Sequence, residues 1–283
     1  MWGAIIGDLA GSIFEYEQHS RVSYVTVDKL IVDDSFYSDD TILTIAIYEA
    51  IRNGQDYEKV LREYGKRYLD YVPETRKTHF PTTFGGNFTR WIKGEVEGNS
   101  IGNGAMMRIS GIGKMFDTEE EVVEQAMLAT KPSHNSLEAI ECARTVALFI
   151  LYARQGYRKL EILEKLGIKS IEYKPFETFN KTCYETLNNC LYAIYDSINF
   201  EDAIKKVLNY GGDTDTNAAI VGAMAESLYG VPEYLVEKAK SKIPGIFTYV
   251  IEDSYIRKSR HFRRLKWKIR QRMLLSFMCF ATN

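Results

Sequence analysis

GGDTDTNAAIVGAMAESLYG, residues 211–230, combines the structural pattern and the chemical pattern that recur along this chain. Two glycines allow the backbone to turn tightly, and a short run of acidic and hydroxyl side chains then precedes an uninterrupted apolar helix. A second polar helix start lies at 39–52, where Ile42, Ile45, Ala46 and Ala50 recur at steps of three and four. Apolar residues with this spacing predict amphipathic helices.

Helical spacing covers most of the chain. Besides 39–52 and 214–229, it covers about 2–14, 56–71, 118–130, 136–155, 183–198, 200–209 and 232–242. The only strand-like alternation is short, around Val22–Val27, which argues against a parallel sheet. The sequence therefore predicts an all-α protein, with one compact helical domain over residues 1–256 and a basic C-terminal helical extension over residues 257–283.

The composition is that of an ordinary globular protein. The chain has 283 residues, of which 45% are hydrophobic and 26% are charged, and this excludes an intrinsically disordered chain. It contains no run of ~18 apolar residues, so a conventional membrane-spanning helix is not expected. The four cysteines (Cys142, Cys183, Cys190 and Cys279) are scattered and the N-terminus lacks a basic signal region. We therefore expect free thiols and a cytoplasmic location.

Charge is unevenly distributed along the chain. The overall charge is −2, but nine Lys or Arg residues lie between residues 257 and 272, and no Asp or Glu follows Asp253. Residues 257–283 could form a basic amphipathic helix that binds anionic lipid, nucleic acid or a partner protein. Alternatively, the same segment packs its apolar stripe on the acidic body or on another subunit. The acidic body itself gives no reason to expect obligatory nucleic-acid binding.

Two apolar helices are predicted to begin with clusters of oxygen-bearing side chains, Ser38-Asp39-Asp40-Thr41 and Asp213-Thr214-Asp215-Thr216. Helix capping explains one such residue at each start, because the first turn has free N–H groups and a positive dipole end. Several carboxylates and hydroxyls together instead favour a hard divalent cation such as Mg²⁺ or Mn²⁺. Two clusters offer enough oxygen ligands for two ions.

Two further segments hold polar groups within apolar surroundings. Gly102-Asn103-Gly104 is either an ordinary turn or a loop whose N–H groups converge on a phosphate. Asp8 and Glu15 lie seven residues apart, which predicts one face of a single helix, and a buried acid there needs either a cation or a salt bridge to Arg21 or Arg108.

Five segments in order resemble the ADP-ribosylglycohydrolase family, in particular its bacterial branch related to dinitrogenase reductase-activating glycohydrolase. They are GAIIGDLAGSIFE, YSDDT, GNSIGNGAMMRISGIG, SHNS and GGDTDTNAAIVGAMAESLYG, and the resemblance covers about residues 1–242. It implies an all-helical domain with two Mg²⁺ (or Mn²⁺) ions. The metal ligands that it implies are Ser38, Asp39, Asp40, Asp213, Asp215 and Thr216.

The resemblance also implies roles for other residues. Glu15 matches the acid that positions or activates water, and Asp40 is expected to be both a ligand and a catalytic residue. The loop of Gly102, Asn103, Gly104, Ala105 and Met106 would hold the diphosphate, and His134 with Asn135 would line the ADP-ribose pocket. Considered without the resemblance, His134 could equally be a structural histidine.

The implied function is removal of ADP-ribose from a modified target by hydrolysis of an N- or O-glycosidic bond at C1″ of the distal ribose. The branch resemblance favours ADP-ribosyl-arginine on a protein. Three alternatives stay open: a non-catalytic, metal-dependent ADP-ribose-binding protein, a hydrolase of ADP-ribosylated serine or nucleic acid, and a different two-metal hydrolase such as a phosphoesterase.

Overall fold

Helices make up the architecture of this chain, whose computed structural model describes residues 2–73, 82–256 and 258. They are α1 (Trp2–Gly11), α2 (Glu15–Ser20), α3 (Asp39–Asn53), α4 (Tyr57–Arg67), α5 (Gly86–Ile92), α6 (Gly104–Met107), α7 (Ser110–Met115), α8 (Glu119–Thr130), α9 (Leu137–Arg154), α10 (Lys159–Lys165), α11 (Cys183–Asp196), α12 (Phe200–Asn209), α13 (Thr214–Tyr229) and α14 (Glu233–Lys242). A further helical segment covers 245–256. Over these ranges the chain forms no strand, which confirms the all-α prediction.

The central element is a pair of helices from opposite ends of the sequence. Every residue of α1 is buried, and its main partner is α13. Gly3, Gly7 and Gly11 lie along the contact, where a Cβ atom added to any of them would lie 1.9–2.2 Å from a backbone oxygen of α13. The two backbones therefore touch, and only glycine fits on α1 at these three positions.

Local signals explain where several helices begin. The Ser38 side chain accepts a hydrogen bond from the Asp40 N–H at the start of α3, and Ser136 accepts one from the Ala139 N–H at the start of α9. Before α8, Thr118 and Glu121 form a reciprocal capping box. These bonds satisfy N–H groups that have no partner within the first helical turn.

The structure corrects the predicted helix over 2–14. Helix α1 ends at Gly11 and α2 begins at Glu15, so Asp8 and Glu15 do not share a face of one helix. The strand-like alternation at Val22–Val27 forms an extended segment without a strand. The short helices α2, α5, α6, α7 and α10 were not predicted, because they are too short to repeat the apolar spacing over several turns. The helical segment over 245–256 was not predicted either.

The basic extension at 257–283 lies outside the described residues, except for Lys258. The Lys258 Nζ donates to the Met115 carbonyl at 2.7 Å and to Asp117 Oδ1 at 2.5 Å, so this first part of the segment contacts the α7–α8 connection. Among the helices that the structure describes, none has both the length and the apolar character needed to cross a membrane.

Candidate active site

A cavity of about 450 Å³ lies where α2, α3 and the start of α13 meet α5 and the loop before α6. Acidic residues from three places in the sequence form one wall of it, which we call the acidic wall. The acidic wall consists of Asp8, Glu15, Asp39, Asp40, Asp213 and Asp215, of which Asp8 lies behind the cavity surface. The close contact between α1 and α13 brings these acids together from positions far apart in sequence.

Asp8 connects α1 to the beginning of α3. Its carboxylate accepts hydrogen bonds from the Ser38 N–H at 2.9 Å and the Ser38 hydroxyl at 2.8 Å. It also accepts from the Thr41 N–H at 3.1 Å and the Thr41 hydroxyl at 2.5 Å. Asp8 therefore bonds to helix-start donors, and within the described ranges it forms no salt bridge to Arg21 or Arg108.

Asp40 has one carboxylate oxygen with partners and one without. Its Oδ2 lies 3.1 Å from the Ser38 hydroxyl and accepts from the Thr216 hydroxyl at 3.2 Å. Its Oδ1 is buried and has no hydrogen-bond partner among the described residues. The single Ser38 proton is shared between Asp8 and Asp40, so this part of the wall has more acceptors than donors.

The start of α13 is fixed by two glycines and two asparagines. Gly211 and Gly212 have φ of 70° and 75°, values that favour glycine. The Asp213 N–H donates to Asn180 Oδ1 at 2.7 Å, and Asp213 Oδ2 accepts from Asn103 Nδ2 at 2.7 Å. The turn therefore points Asp213 toward the cavity and holds it there.

The acidic wall contains two overlapping groups of carboxylates. Oxygen atoms of Asp8, Asp40 and Asp215 lie within 4.8 Å of one another, and so do oxygen atoms of Glu15, Asp213 and Asp215. Asp215 belongs to both groups. Carboxylate and hydroxyl oxygens are the ligands that Mg²⁺ and Mn²⁺ prefer, and the buried, unpartnered Asp40 Oδ1 fits such an ion.

Crowding changes the acidity of the wall. Burial, and then the negative charge of Asp215, raise the pKa of Asp8 to about 6. Burial also raises the pKa of Asp40 and of Asp213 well above their usual range, and Asp215 again adds like-charge repulsion. The carboxylates thus hold protons unusually tightly until a cation offsets their charge.

A second part of the cavity wall carries a buried cation. Arg108 is fully buried, and its Nε and Nη1 atoms have no hydrogen-bond partner in the described part of the chain. Arg108 also has no carboxylate partner there, and burial lowers its pKa to about 10. His134 and the Gly102–Gly104 loop lie beside it at the cavity surface. This wall suits an anionic or oxygen-rich group.

The loop has fewer free N–H groups than its sequence suggested. The Gly102 N–H donates to the Ser100 hydroxyl, and the Asn103 N–H donates to the Lys181 carbonyl. The N–H groups of Ala105 and Met106 bond to carbonyls of the same loop. An anion at this loop would therefore be met largely by side chains and not by a row of free amides.

The predicted residues fall into two sets. Most of them line the cavity, namely Glu15, Asp39, Asp40, Gly102, Asn103, Gly104, His134, Asp213, Asp215 and Thr216. Ser38 is buried beside Asp40, and Ala105 and Met106 are buried behind the loop. Asn135 is exposed and does not line the cavity, and its N–H donates to the Gly98 carbonyl.

Several residues at the site carry no recognisable signal in the sequence. Asn180 lies within a possible glycosylation motif, yet its side chain holds Asp213, Thr186 and Asn217 in place. Phe179 stacks on His19 at a centroid distance of 3.7 Å, and both rings line the cavity. Their position depends on tertiary contacts, which short-range patterns do not encode.

Comparisons with known proteins show the family of this chain. A family model described as ADP-ribosylglycohydrolase matches residues 1–258. An ADP-ribosylarginine hydrolase, Tri1, from Pseudomonas putida (strain GB-1) is 24% identical over 279 residues, which cover 85% of this chain and 73% of that protein. The mouse ADP-ribosylhydrolase ARH3 is 25% identical over 320 residues, which cover 82% of this chain and 83% of that protein.

A solved structure shares the fold. It is described as an "ADP-ribosylglycohydrolase-related protein complex", and it matches with a TM-score of 0.63 at 19% identity, covering 91% of this chain and 92% of that one. The sequence and structure matches both extend over most of the described helices.

Proposed function

This chain belongs to the ADP-ribosylglycohydrolase family of enzymes, and we propose that it releases ADP-ribose from arginine side chains of modified proteins. The bond cleaved is the one between C1″ of the distal ribose and the arginine nitrogen. The observation that carries this proposal is the pair of overlapping carboxylate groups in a cavity that is also lined by a buried guanidinium.

We propose two Mg²⁺ or Mn²⁺ ions at the acidic wall. Their ligands would be Ser38, Asp39, Asp40, Asp213, Asp215 and Thr216. The two overlapping groups of carboxylates support two ions, because each group gathers three carboxylates and Asp215 is common to both. When bound, such ions polarise the hydroxyls and water near them and so lower the barrier to hydrolysis.

Glu15 is proposed as the residue that takes the proton from the attacking water. It lines the cavity beside Asp213 and Asp215, and its Oε1 lies 3.5 Å from His19 Nε2. The water oxygen forms a bond to C1″, and the C1″–N bond breaks with its electron pair passing to the arginine nitrogen. That nitrogen gains a proton as it leaves, and free ADP-ribose and arginine are the products.

The second part of the cavity wall is proposed to hold the rest of ADP-ribose. The Gly102–Met106 loop and His134 would lie along the diphosphate and ribose, and the positive charge of Arg108 behind them favours the negatively charged diphosphate.

The proposal that the ADP-ribose is linked to arginine rests on the activity for which the Pseudomonas putida relative is named and on the branch resemblance. The protein partner is thus an ADP-ribosylated substrate.

We also infer a reducing, cytoplasmic location. Cys142 and Cys183 are neighbouring buried free thiols, the Cys183 thiol donates to the Gly102 carbonyl at 3.0 Å, and Cys190 is a third buried free thiol. Adjacent thiols of this kind are typical of proteins that fold in a reducing compartment.

The test is release of free ADP-ribose from an arginine-ADP-ribosylated protein, measured with Mg²⁺, with Mn²⁺ and with EDTA. We expect metal-dependent release that is lost in Asp215→Ala, because Asp215 belongs to both carboxylate groups. Glu124→Gln, which removes an exposed acid on α8, is the matched control and should retain activity.

Two outcomes would overturn parts of this proposal. ADP-ribose and metal binding without release from arginine would move the substrate to serine- or nucleic-acid-linked ADP-ribose, or leave a binding protein. Release of AMP or phosphate in place of ADP-ribose would identify a different two-metal hydrolase.

A further inference from the structure

Three side chains that line the cavity, those of Arg108, Ser133 and His134, are joined by hydrogen bonds. Arg108 Nη2 donates to the Ser133 hydroxyl at 2.7 Å, and the Ser133 hydroxyl lies 2.8 Å from His134 Nδ1. All three residues are buried. The position of each proton along this series of hydrogen bonds follows from which groups can donate and which can accept.

Arginine can only donate, so the Ser133 oxygen is the acceptor in its bond to Arg108. The Ser133 proton then needs an acceptor of its own, and His134 Nδ1 is the acceptor within reach among the described residues. Arg108 Nη2 also lies 3.5 Å from the same Nδ1. A proton on Nδ1 would face two donors, whereas a lone pair there is stabilised by both.

The other ring nitrogen faces the cavity. A Cβ atom added to Gly104 would lie 3.5 Å from His134 Nε2, and one added to Gly102 would lie 3.7 Å from it. The hydrogen bonds of the His134 ring within the described residues all involve Nδ1. Nε2 is therefore directed at the Gly102–Gly104 loop and toward whatever occupies the cavity beside it.

We propose that Arg108 and Ser133 are positioning residues that hold His134 in its Nε2–H tautomer, so that the ring presents an uncharged N–H donor to an oxygen acceptor of the ligand. This inference rests on the proposed function for the identity of the ligand, in which the acceptor is an oxygen of ADP-ribose. The assignment of the tautomer itself does not rest on the proposed function.

The charge environment is consistent with a neutral ring. Burial, and then the positive charge of Arg108, lower the pKa of His134 well below its usual value. The donor that reaches the cavity therefore carries no net charge of its own. The positive charge stays on Arg108.

The first experiment is two-bond ¹H–¹⁵N NMR of the histidine rings at pH 7, in the complete metal-loaded protein. The chain has four histidines, so loss of one set of signals in His134→Gln assigns the ring. We expect the pattern of a single Nε2–H tautomer in the wild type and a mixture of tautomers in Ser133→Ala. An Nδ1–H tautomer or an imidazolium in the wild type would overturn the proposal, even if the variant failed to fold.

The second experiment is a double-mutant cycle on ADP-ribose affinity. We expect Ser133→Ala to raise the Kd for ADP-ribose about tenfold, the loss of one hydrogen bond, because the ring can then turn its lone pair to the ligand. In a His134→Ala background the same substitution should have no further effect. Ser254→Ala is the matched control, since Ser254 is buried and bonds to the Val250 carbonyl away from the cavity.

A merely structural role gives a different result. It would weaken binding as much in the His134→Ala background as in the wild type, and that outcome would overturn the proposal. Absence of ADP-ribose binding to the wild type would instead refute the proposed function, while the ring spectrum would still decide the tautomer.

Discussion

The contact between α1 and α13 and the acidic wall share these two helices, with α2 and α3 completing the wall, and close approach has opposite effects on stability in the two regions. Along the contact, Gly3, Gly7 and Gly11 let the backbones touch over mostly apolar surface, and the Glu226 carboxylate of α13 accepts a hydrogen bond from the Gly3 N–H at 3.0 Å. At the end of the pair, the same approach forces Asp8 and Asp215 together with Asp40. Close approach stabilises the fold at the α1–α13 contact, and it destabilises the fold at the acidic wall because the carboxylates repel one another.

This difference separates stability from function within a single helix pair. Dense packing of small residues supplies free energy that can offset the repulsion between buried carboxylates. A substitution in the contact should therefore destabilise the fold, and a substitution that removes a charge from the wall should stabilise the metal-free fold while abolishing activity. Four measurements test this opposition.

The largest effect is expected for Asp40→Asn. Activity should fall on the order of a thousandfold, because bound metal contributes several kcal/mol of transition-state stabilisation. In EDTA, the free energy of unfolding should rise by about 1 kcal/mol, because a buried charge with a raised pKa is removed. Initial rates and urea unfolding at pH 8 measure the two effects.

The control for Asp40→Asn is again Glu124→Gln, which removes an exposed carboxylate far from any such cluster. It should change neither quantity. A metal-free Asp40→Asn protein that is less stable than the wild type would show that the wall is not under electrostatic strain.

Gly7→Ala tests the other side of the comparison. A Cβ atom there would lie 1.9 Å from the Ala218 carbonyl oxygen, so the helices must separate. We expect the free energy of unfolding to fall by about 3 kcal/mol. Gly245→Ala is the matched control, because a Cβ atom at Gly245 has no atom within 4 Å, and equal stability of the two variants would contradict the close contact.

The affinity for Mg²⁺ should depend on pH in a defined direction. Protons compete with metal for the carboxylates, because burial and like-charge repulsion raise the pKa of Asp8 to about 6 and also raise the pKa values of Asp40 and Asp213 well above their usual range. Affinity should therefore fall as pH is lowered through 6, by at least about tenfold between pH 7 and pH 5. Isothermal titration calorimetry measures it, and a constant affinity would argue against ligation by these acids.

The smallest effect is expected for Asn103→Ala. Its amide donates to Asp213 Oδ2 at 2.7 Å and so orients a carboxylate that we propose as a ligand. Loss of an outer hydrogen bond of this kind typically weakens metal binding about tenfold. Measured Mg²⁺ affinity should show that loss with an unchanged free energy of unfolding, whereas a change in stability alone would make Asn103 purely structural.

Much of the fold could be predicted from the sequence, because long amphipathic helices repeat their signal over several turns. The main helices were predicted to within a few residues, while the break between Gly11 and Glu15 was missed because apolar residues continue across it. The candidate ligands stood out because Ser38–Asp40 and Asp213–Thr216 place acids at apolar helix starts. No pattern in the sequence marks the role of Asn180 or the direction of the hydrogen bonds at Ser133. Both depend on contacts between segments that lie apart in the sequence.

The pairing of α1 with α13 also sets when the site can form during synthesis. The bond between the Thr214 hydroxyl and the Gly11 carbonyl joins residues 203 positions apart. At the usual speed of translation, α1 waits roughly 10 to 40 s for its partner to be made. During that time its glycine-lined face is uncovered, and Asp8 has no Asp215 beside it. The proposed metal site can therefore be completed only late in the synthesis of each new chain.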